Sequence, residues 1–223
     1  MNGQRTRILH TRLLAAVIAV GAGAGATSVA AEHTWREFKD VSNTSFVESS
    51  GDRAIQLSID VAAPPHEVFA AFATSAGFSS WAAPVAQVDL RIGGFIEASY
   101  DSHARIGDPG NIRNEIVGYL PDRLLVIRNV QAPPGFADPE LFRRTATVIE
   151  FAPRDASHTR VTLTNAGYGQ GERWDTLYRH FEWGDAFTLA ELKARFDKGP
   201  VNWTALESKR KTEASTSTVE GKN

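Results

Sequence analysis

Between Trp174 and Phe196 the large side chains Trp174, Leu177, Tyr178, Phe181, Leu189, Leu192 and Phe196 recur on one side of a 3.6-residue period. That spacing predicts a long helix laid on a core. Most of the chain between Ile55 and Tyr168 instead alternates apolar and polar residues or runs in short β-branched stretches, the pattern of strands. A single carboxy-terminal helix over a many-stranded antiparallel sheet is an α+β arrangement. Such an arrangement leaves room for a cavity between helix and sheet, where ligand sites commonly form.

The ends read differently from the middle. Arg5, Arg7 and Arg12 precede an apolar run from Leu13 to Ala26, and Val29-Ala30-Ala31 then gives way to Glu32-His33. A basic start, a short apolar run and small residues before a polar one predict a secretory signal peptide over 1–31, cut after Ala31, with periplasmic or secreted localisation. The apolar run is shorter than the roughly 20 residues of a membrane span, so no stable anchor is expected after cleavage. Losing 1–31 removes three of the 24 Lys and Arg and none of the 26 Asp and Glu, so the formal charge moves from −2 to about −5. That balance argues against nucleic acid as a partner. The chain has no cysteine, which excludes disulfides, thiolate metal sites and a cysteine nucleophile. Residues 204–223, rich in Ser, Thr, Lys and Glu and without aromatics, are expected to form a disordered tail. The single folded domain is then 32–203, of which 32–50 is an amino-terminal extension and first strand.

Within it, Val41 to Val47 and Ala54 to Val61 predict a hairpin around Glu48–Asp52. Pro65 suits the first turn of a helix through Phe72, and a second short helix is expected over Ser75 to Trp81. Gly93-Gly94 predicts a tight turn between strands 87–92 and 95–100. Four more strands are expected over 111–119, 124–130, 145–151 and 159–164.

Three segments together resemble the SRPBCC (START/birch-pollen-allergen-like) superfamily: Val61-Ala-Ala-Pro-Pro-His-Glu-Val-Phe-Ala-Ala-Phe72, Ser80-Trp-Ala-Ala-Pro84 and Asp89-Leu-Arg-Ile-Gly-Gly94. More narrowly they are similar to its branch named for the activator of heat-shock-protein ATPase. Thr159–Thr164 and the terminal helix ending Arg195-Phe-Asp-Lys-Gly-Pro200 fit the same pattern, so the resemblance covers about Val41 to Trp203. It implies a helix-grip fold: a curved antiparallel sheet of six to seven strands around the long last helix, two short helices after the first long strand, and a cavity opening near those helices. The chain departs from the branch at Trp183-Gly184, where its members usually carry Gly-Trp.

Chemistry is sparse. Three acids sit among apolar neighbours: Asp185 within the helical stripe, and Glu97 and Glu150 within strands. Strand alternation favours solvent-facing positions for Glu97 and Glu150. Asp185 in a desolvated cavity should have a raised pKa. Arg91 and Arg128 are expected to pair across the sheet with Asp89, Glu97 or Glu115. The six histidines, at 10, 33, 66, 103, 158 and 180, show no i,i+3 or i,i+4 pair, so no metal site is expected, and no cofactor motif is present. No Gly-x-Ser-x-Gly elbow exists. The cavity candidates are therefore Phe69, Phe72, Phe78, Trp81, Tyr100, Tyr119, Trp174 and Phe181, with Asp185 as a polar handle. A second strip, Trp183, Phe187, Ala190 and Ala194, lies on the far side of the helix. Either Trp35, Phe38 and Phe46 cover it or a second copy of the chain does, as a homodimer.

The favoured function is an exported binder of a small apolar or amphipathic ligand. The alternatives are a cyclase- or hydratase-type enzyme using a cavity carboxylate, its catalytic residues otherwise unassigned, and a chaperone-activator-like interaction.

Overall fold

The computed structural model describes residues 33–209. The expected signal peptide and its cleavage position lie outside them, as does the tail from 210 onward.

Strand β1 (Ser42–Asn43) and strand β2 (Phe46–Val47) both pair with the long strand β3 (Arg53–Val61), so the predicted hairpin forms with its first arm in two pieces. Helix α1 (Pro65–Ala73) and helix α2 (Ser75–Ser79) follow. Pro65 opens α1, where a missing N–H costs nothing, and Thr74 Oγ1 accepts from Gly77 N at 3.0 Å to cap α2. A meander completes the sheet: β4 (Val85–Val88), β5 (Phe95–Ser99), β6 (Ile112–Leu120), β7 (Leu124–Gln131), β8 (Ala146–Pro153) and β9 (Thr159–Tyr168). Between β7 and β8 lies a one-turn helix, α3 (Pro139–Phe142), and the chain ends on helix α4 (Glu172–Lys198). All pairings are antiparallel and the order is β1-β3-β9-β8-β7-β6-β5-β4, so the sheet stays open, with β4 at one edge. The seven long strands and the helix they cradle make the helix-grip fold.

Burial follows the predicted stripe. Trp174, Leu177, Phe181, Leu189 and Leu192 are buried against the sheet, while Tyr178 and Phe196 pack at its margin. The helix starts at Gly171, with Glu172 and Asp175 in its first turn and Arg195 and Lys198 in its last, each favourable to the helix dipole. A Cβ at Gly169 would lie 2.8 Å from the Trp174 indole nitrogen, so glycine there lets the end of β9 press against the start of α4.

Several expectations are corrected. The β4–β5 connection is not a two-residue turn: β4 stops at Val88, and residues 89–94 form the loop, closed by Asp89 N donating to Phe95 O at 2.8 Å. The glycines serve another purpose. Gly93 N donates to Ile116 O and Ile116 N to Gly94 O, both at 2.9 Å, so the pair lies against β6. A Cβ at Gly94 would stand 2.1 Å from Asp89 O. Helix α3 was missed because four residues are too few to show a period. Residues 203–209 are helical, so the first part of the expected tail is ordered. It is tied down because Trp203 Nε1 donates to Ser79 O at 2.6 Å and Ser102 Oγ to Glu207 Oε2 at 2.9 Å.

The Trp183 and Phe187 part of the far strip of α4 is covered from within the chain, whereas Ala190 and Ala194 line a surface pocket of about 180 Å³ beside Phe38 and Val41. Phe38 lies 6.1 Å from both Trp183 and Phe187, the two of which stack at 5.7 Å, and Trp183 Nε1 donates to Glu37 Oε2 at 3.3 Å. Phe46 takes no part in this cover and is 44% exposed. Its two-residue strand holds it on the sheet edge.

Candidate functional site

Midway along α4, Asp185 and Thr188 face the inner surface of the sheet and close one side of a chamber of about 50 Å³. Across from them stand Asn114 of β6, Thr147 of β8 and Asn165 of β9, and the remaining wall is mostly apolar: Phe72, Phe78, Trp81, Ile96, Phe142 and Phe181 among others. The chamber has room for a few waters or a small polar group, and falls well short of the roughly 300–1,000 Å³ of a drug-sized site.

Its polar side is underpaired. Asp185 is 5% exposed, and Asn165 Nδ2 donates to its Oδ2 at 3.4 Å, a long bond. Burial pushes its pKa up to about 7, with the Asn165 contact pulling weakly the other way. Asn165 is 1% exposed and its Oδ1 has no hydrogen-bond partner. Tyr168 is also fully buried, and no well-formed hydrogen bond reaches its hydroxyl; burial, with Asp185 and Tyr178 nearby, pushes its pKa well above the usual phenol range, against an opposing contact from the Asn165 side chain. An unpaired buried polar atom costs about 1–3 kcal/mol, so these groups favour an occupant that pairs with them.

Of the nine predicted cavity residues, the structure brings five to the chamber: Phe72, Phe78, Trp81, Phe181 and Asp185. The other four pack elsewhere. Phe69 meets Phe151 edge-on at 5.4 Å in the core, and Trp174 packs edge-on to Tyr168 at 6.1 Å under the Arg144 guanidinium. Tyr100 and Tyr119 lie half-buried at the core margin. Aromatic identity was a signal for burial, and only the chain's path sorts core from cavity.

Glu97 overturns its expectation in part. Alternation with the chamber-lining Ile96 turns it away from the chamber, yet it is 4% exposed because the 101–111 segment folds over it. Gly107 N and Asn111 Nδ2 both donate to its Oε1, the latter at 2.7 Å, so the carboxylate pins that loop. Glu150 is exposed, as expected. Arg128 pairs across the sheet with Glu115 at 2.6 Å, as anticipated, whereas Arg91 pairs with Asp89 at 2.9 Å within the 89–94 loop and not across the sheet.

Asn114, Thr147, Asn165 and Thr188 were missed, although a signal existed for three of them. Asn165 continues the inward series Val161, Leu163; Asn114 sits between Ile112 and Ile116 in the same way; Thr188 is three residues beyond Asp185 on the helix. Phe142 belongs to the unpredicted α3 and had no such signal.

An outer groove of about 390 Å³ lies at the amino-terminal end of α4, lined by Phe136, Asp138, Arg173, Thr176, Leu177 and His180, with Ala137 and Glu172 at its rim. Arg173 Nε and Nη2 grip the two Asp138 oxygens at 2.8 Å each, and the Arg173 guanidinium holds the Asp138 carboxyl below its usual pKa. His180 Nε2 is buried without a partner, and burial lowers the ring's pKa. The end near α1 and α2, where an opening was expected, is closed: Val201 N donates to Ser80 O at 2.9 Å, Arg195 Nε to Ser80 Oγ at 2.9 Å, and Trp203 lies on Ser79.

This architecture is shared with known proteins. The Aha1 dimer from Colwellia psychrerythraea superposes at a TM-score of 0.51 with 16% identity, over 66% of this chain and 97% of that one. Protein MLL2253 from Mesorhizobium loti superposes at 0.50 with 14% identity, over 67% of this chain and all of that one. At such identities the likeness concerns the fold alone. No curated protein matches the sequence significantly. The family model described as Activator of Hsp90 ATPase homolog 1-like protein matches residues 62–197, more than half of the sequence. From α1 through nearly all of α4, then, the sequence model and the three-dimensional arrangement agree, and the chain belongs to the Activator of Hsp90 ATPase homolog 1-like family.

Proposed function

We propose that this is an exported ligand-binding protein whose chamber takes the polar group of a small amphipathic molecule. The observation that carries the reading is the Asp185–Asn165 pair: a buried carboxyl with one long hydrogen bond, beside an amide oxygen with none. A ligand hydroxyl or amide placed between them supplies the missing bonds, and the surrounding aromatic wall supplies apolar contact.

The test is a fragment screen by NMR with small phenols, alcohols and amides. Saturable shifts at Asn165, Thr188 and Asp185 support the reading. Fragments that shift only surface residues, in the wild type and in Asp185→Asn alike, refute it.

A second reading has one observation in its favour. A carboxyl titrating near 7 is suited to general acid–base work near neutral pH. In that case a bound ligand would be turned over, with the rate lost in Asp185→Asn while binding persists.

Export rests on Val29-Ala30-Ala31 behind its apolar run. The export reading also disfavours a cytoplasmic chaperone as partner. That a relative of the same fold forms a dimer makes self-association of this chain a further proposal, to be checked by light scattering of the purified protein.

A further inference from the structure

The chamber is too small for a whole amphipathic molecule, and the groove is large enough for one but is mostly open. One layer of aromatic rings separates them. Phe142 and Phe181 line the chamber and stack at 4.6 Å, whereas Phe136 and His180 line the groove. Phe136 lies 5.2 Å from Phe142 and 6.2 Å from Phe181, and His180 lies 5.2 Å from Phe181. The wall is thus built from α4 on one side and from the 132–145 segment on the other.

That segment takes no part in the sheet. It lies between the end of β7 and the start of β8 and contains only the one-turn α3. Within it, Pro133-Pro134 and Gly135, the last at φ +81°, precede α3. It meets α4 through Phe142 stacked on Phe181, through Phe136 against His180 and Phe181, and through the Asp138–Arg173 pair, whose arginine is 70% exposed; exposed pairs of that kind contribute little. The opposite end of the fold is shut by Trp203 and Arg195.

We infer that groove and chamber are the two halves of one site, entered head first past Phe136 and Phe142. The ligand is a neutral amphipathic molecule with a hydroxyl or amide head that seats at Asp185 and Asn165, and an aromatic or alkyl body that lies in the groove on Phe136 and Leu177. Neutrality follows from the surroundings. The groove's charged Asp138 and Arg173 already satisfy each other, and a charged head would enter a chamber walled by aromatics, which is costly. This inference rests on the chamber reading above and adds to it the route and the class of ligand.

The test uses a series of 4-alkylphenols, methyl to heptyl, titrated by NMR and calorimetry. The phenol head should shift Asn165 and Thr188, the chain should shift Ala137, Thr176 and His180, and affinity should rise about two- to fourfold per methylene. Ala137 and Thr176 are exposed at the groove, so Ala137→Trp and Thr176→Trp can fill it without touching the core. Each should abolish the dependence on chain length. Chamber shifts with no dependence on chain length, or a dependence that survives both substitutions, overturn the head-first route while leaving the chamber reading intact. Absence of chamber shifts for every phenol in the series overturns both.

Discussion

Replacing Asp185 by Asn removes the ionisable proton and little else, since the two side chains have the same shape and Asn still offers an oxygen to Asn165 Nδ2. The folded-state pKa of about 7 stands some three units above the ordinary 3.8, and each unit is worth about 1.4 kcal/mol. The raised value means that the fold prefers the neutral acid. Its penalty is absent below pH 4, grows as pH rises toward the folded pKa, and is complete above it, at a ceiling of ~4 kcal/mol. Water entering the chamber would reduce that ceiling, so we expect Asp185→Asn to be about 2–4 kcal/mol more stable than wild type at pH 8 and within about 1 kcal/mol of it at pH 3.5. Urea titrations of both proteins across this range measure the difference. Taking the difference is essential. Asp60 and Asp138, whose pKa values are lowered by arginine partners, and Asp155, lowered by backbone and His158 contacts, add stability above their unfolded pKa and lose it as pH falls, but equally in both proteins. Parallel curves, or an Asn variant that is less stable at pH 8, would refute the assignment of a desolvated neutral carboxyl and remove the basis for the chamber as a polar site.

Three other outcomes are expected. Phe181, 2% exposed and stacked on Phe142, should cost about 3–5 kcal/mol when changed to Ala, read in a denaturant titration; less than about 1 kcal/mol would mean it is not packed as described. Trp183→Ala, which removes the stack on Phe187 and the bond to Glu37, should cost about 1–3 kcal/mol and speed amide exchange at 35–41, and unchanged exchange there would show that the amino-terminal cover is held by something else. Amino-terminal sequencing of exported protein should begin at or near Glu32, and recovery of intact Met1 from a soluble cytoplasmic pool would rule out the signal peptide.

What the sequence determined was periodicity and its consequences. The 3.6-residue stripe from Trp174 to Phe196 fixes a long helix with Asp185 on its buried face, and the two-residue alternation of Ile55, Leu57, Ile59 and Val61 fixes β3 and its inward side. Those patterns decide which face of each element is buried, because burial of a whole face is a local, repeated choice. They do not decide what lies over that face. Glu97 points away from the chamber as alternation requires, yet the loop that buries it comes from residues 101–111, folded back by bonds to Gly107 and Asn111. Phe69 and Phe72 sit one turn apart on α1, and only the second reaches the chamber. The pairing of Asp185 with Asn165, the aromatic wall between groove and chamber, and the closure of the short-helix end by Trp203 all join residues that are at least 20 positions apart in the chain or lie in segments with no period of their own. Tertiary structure alone brings them together, since a cavity is the space that packing leaves and no local pattern encodes its shape.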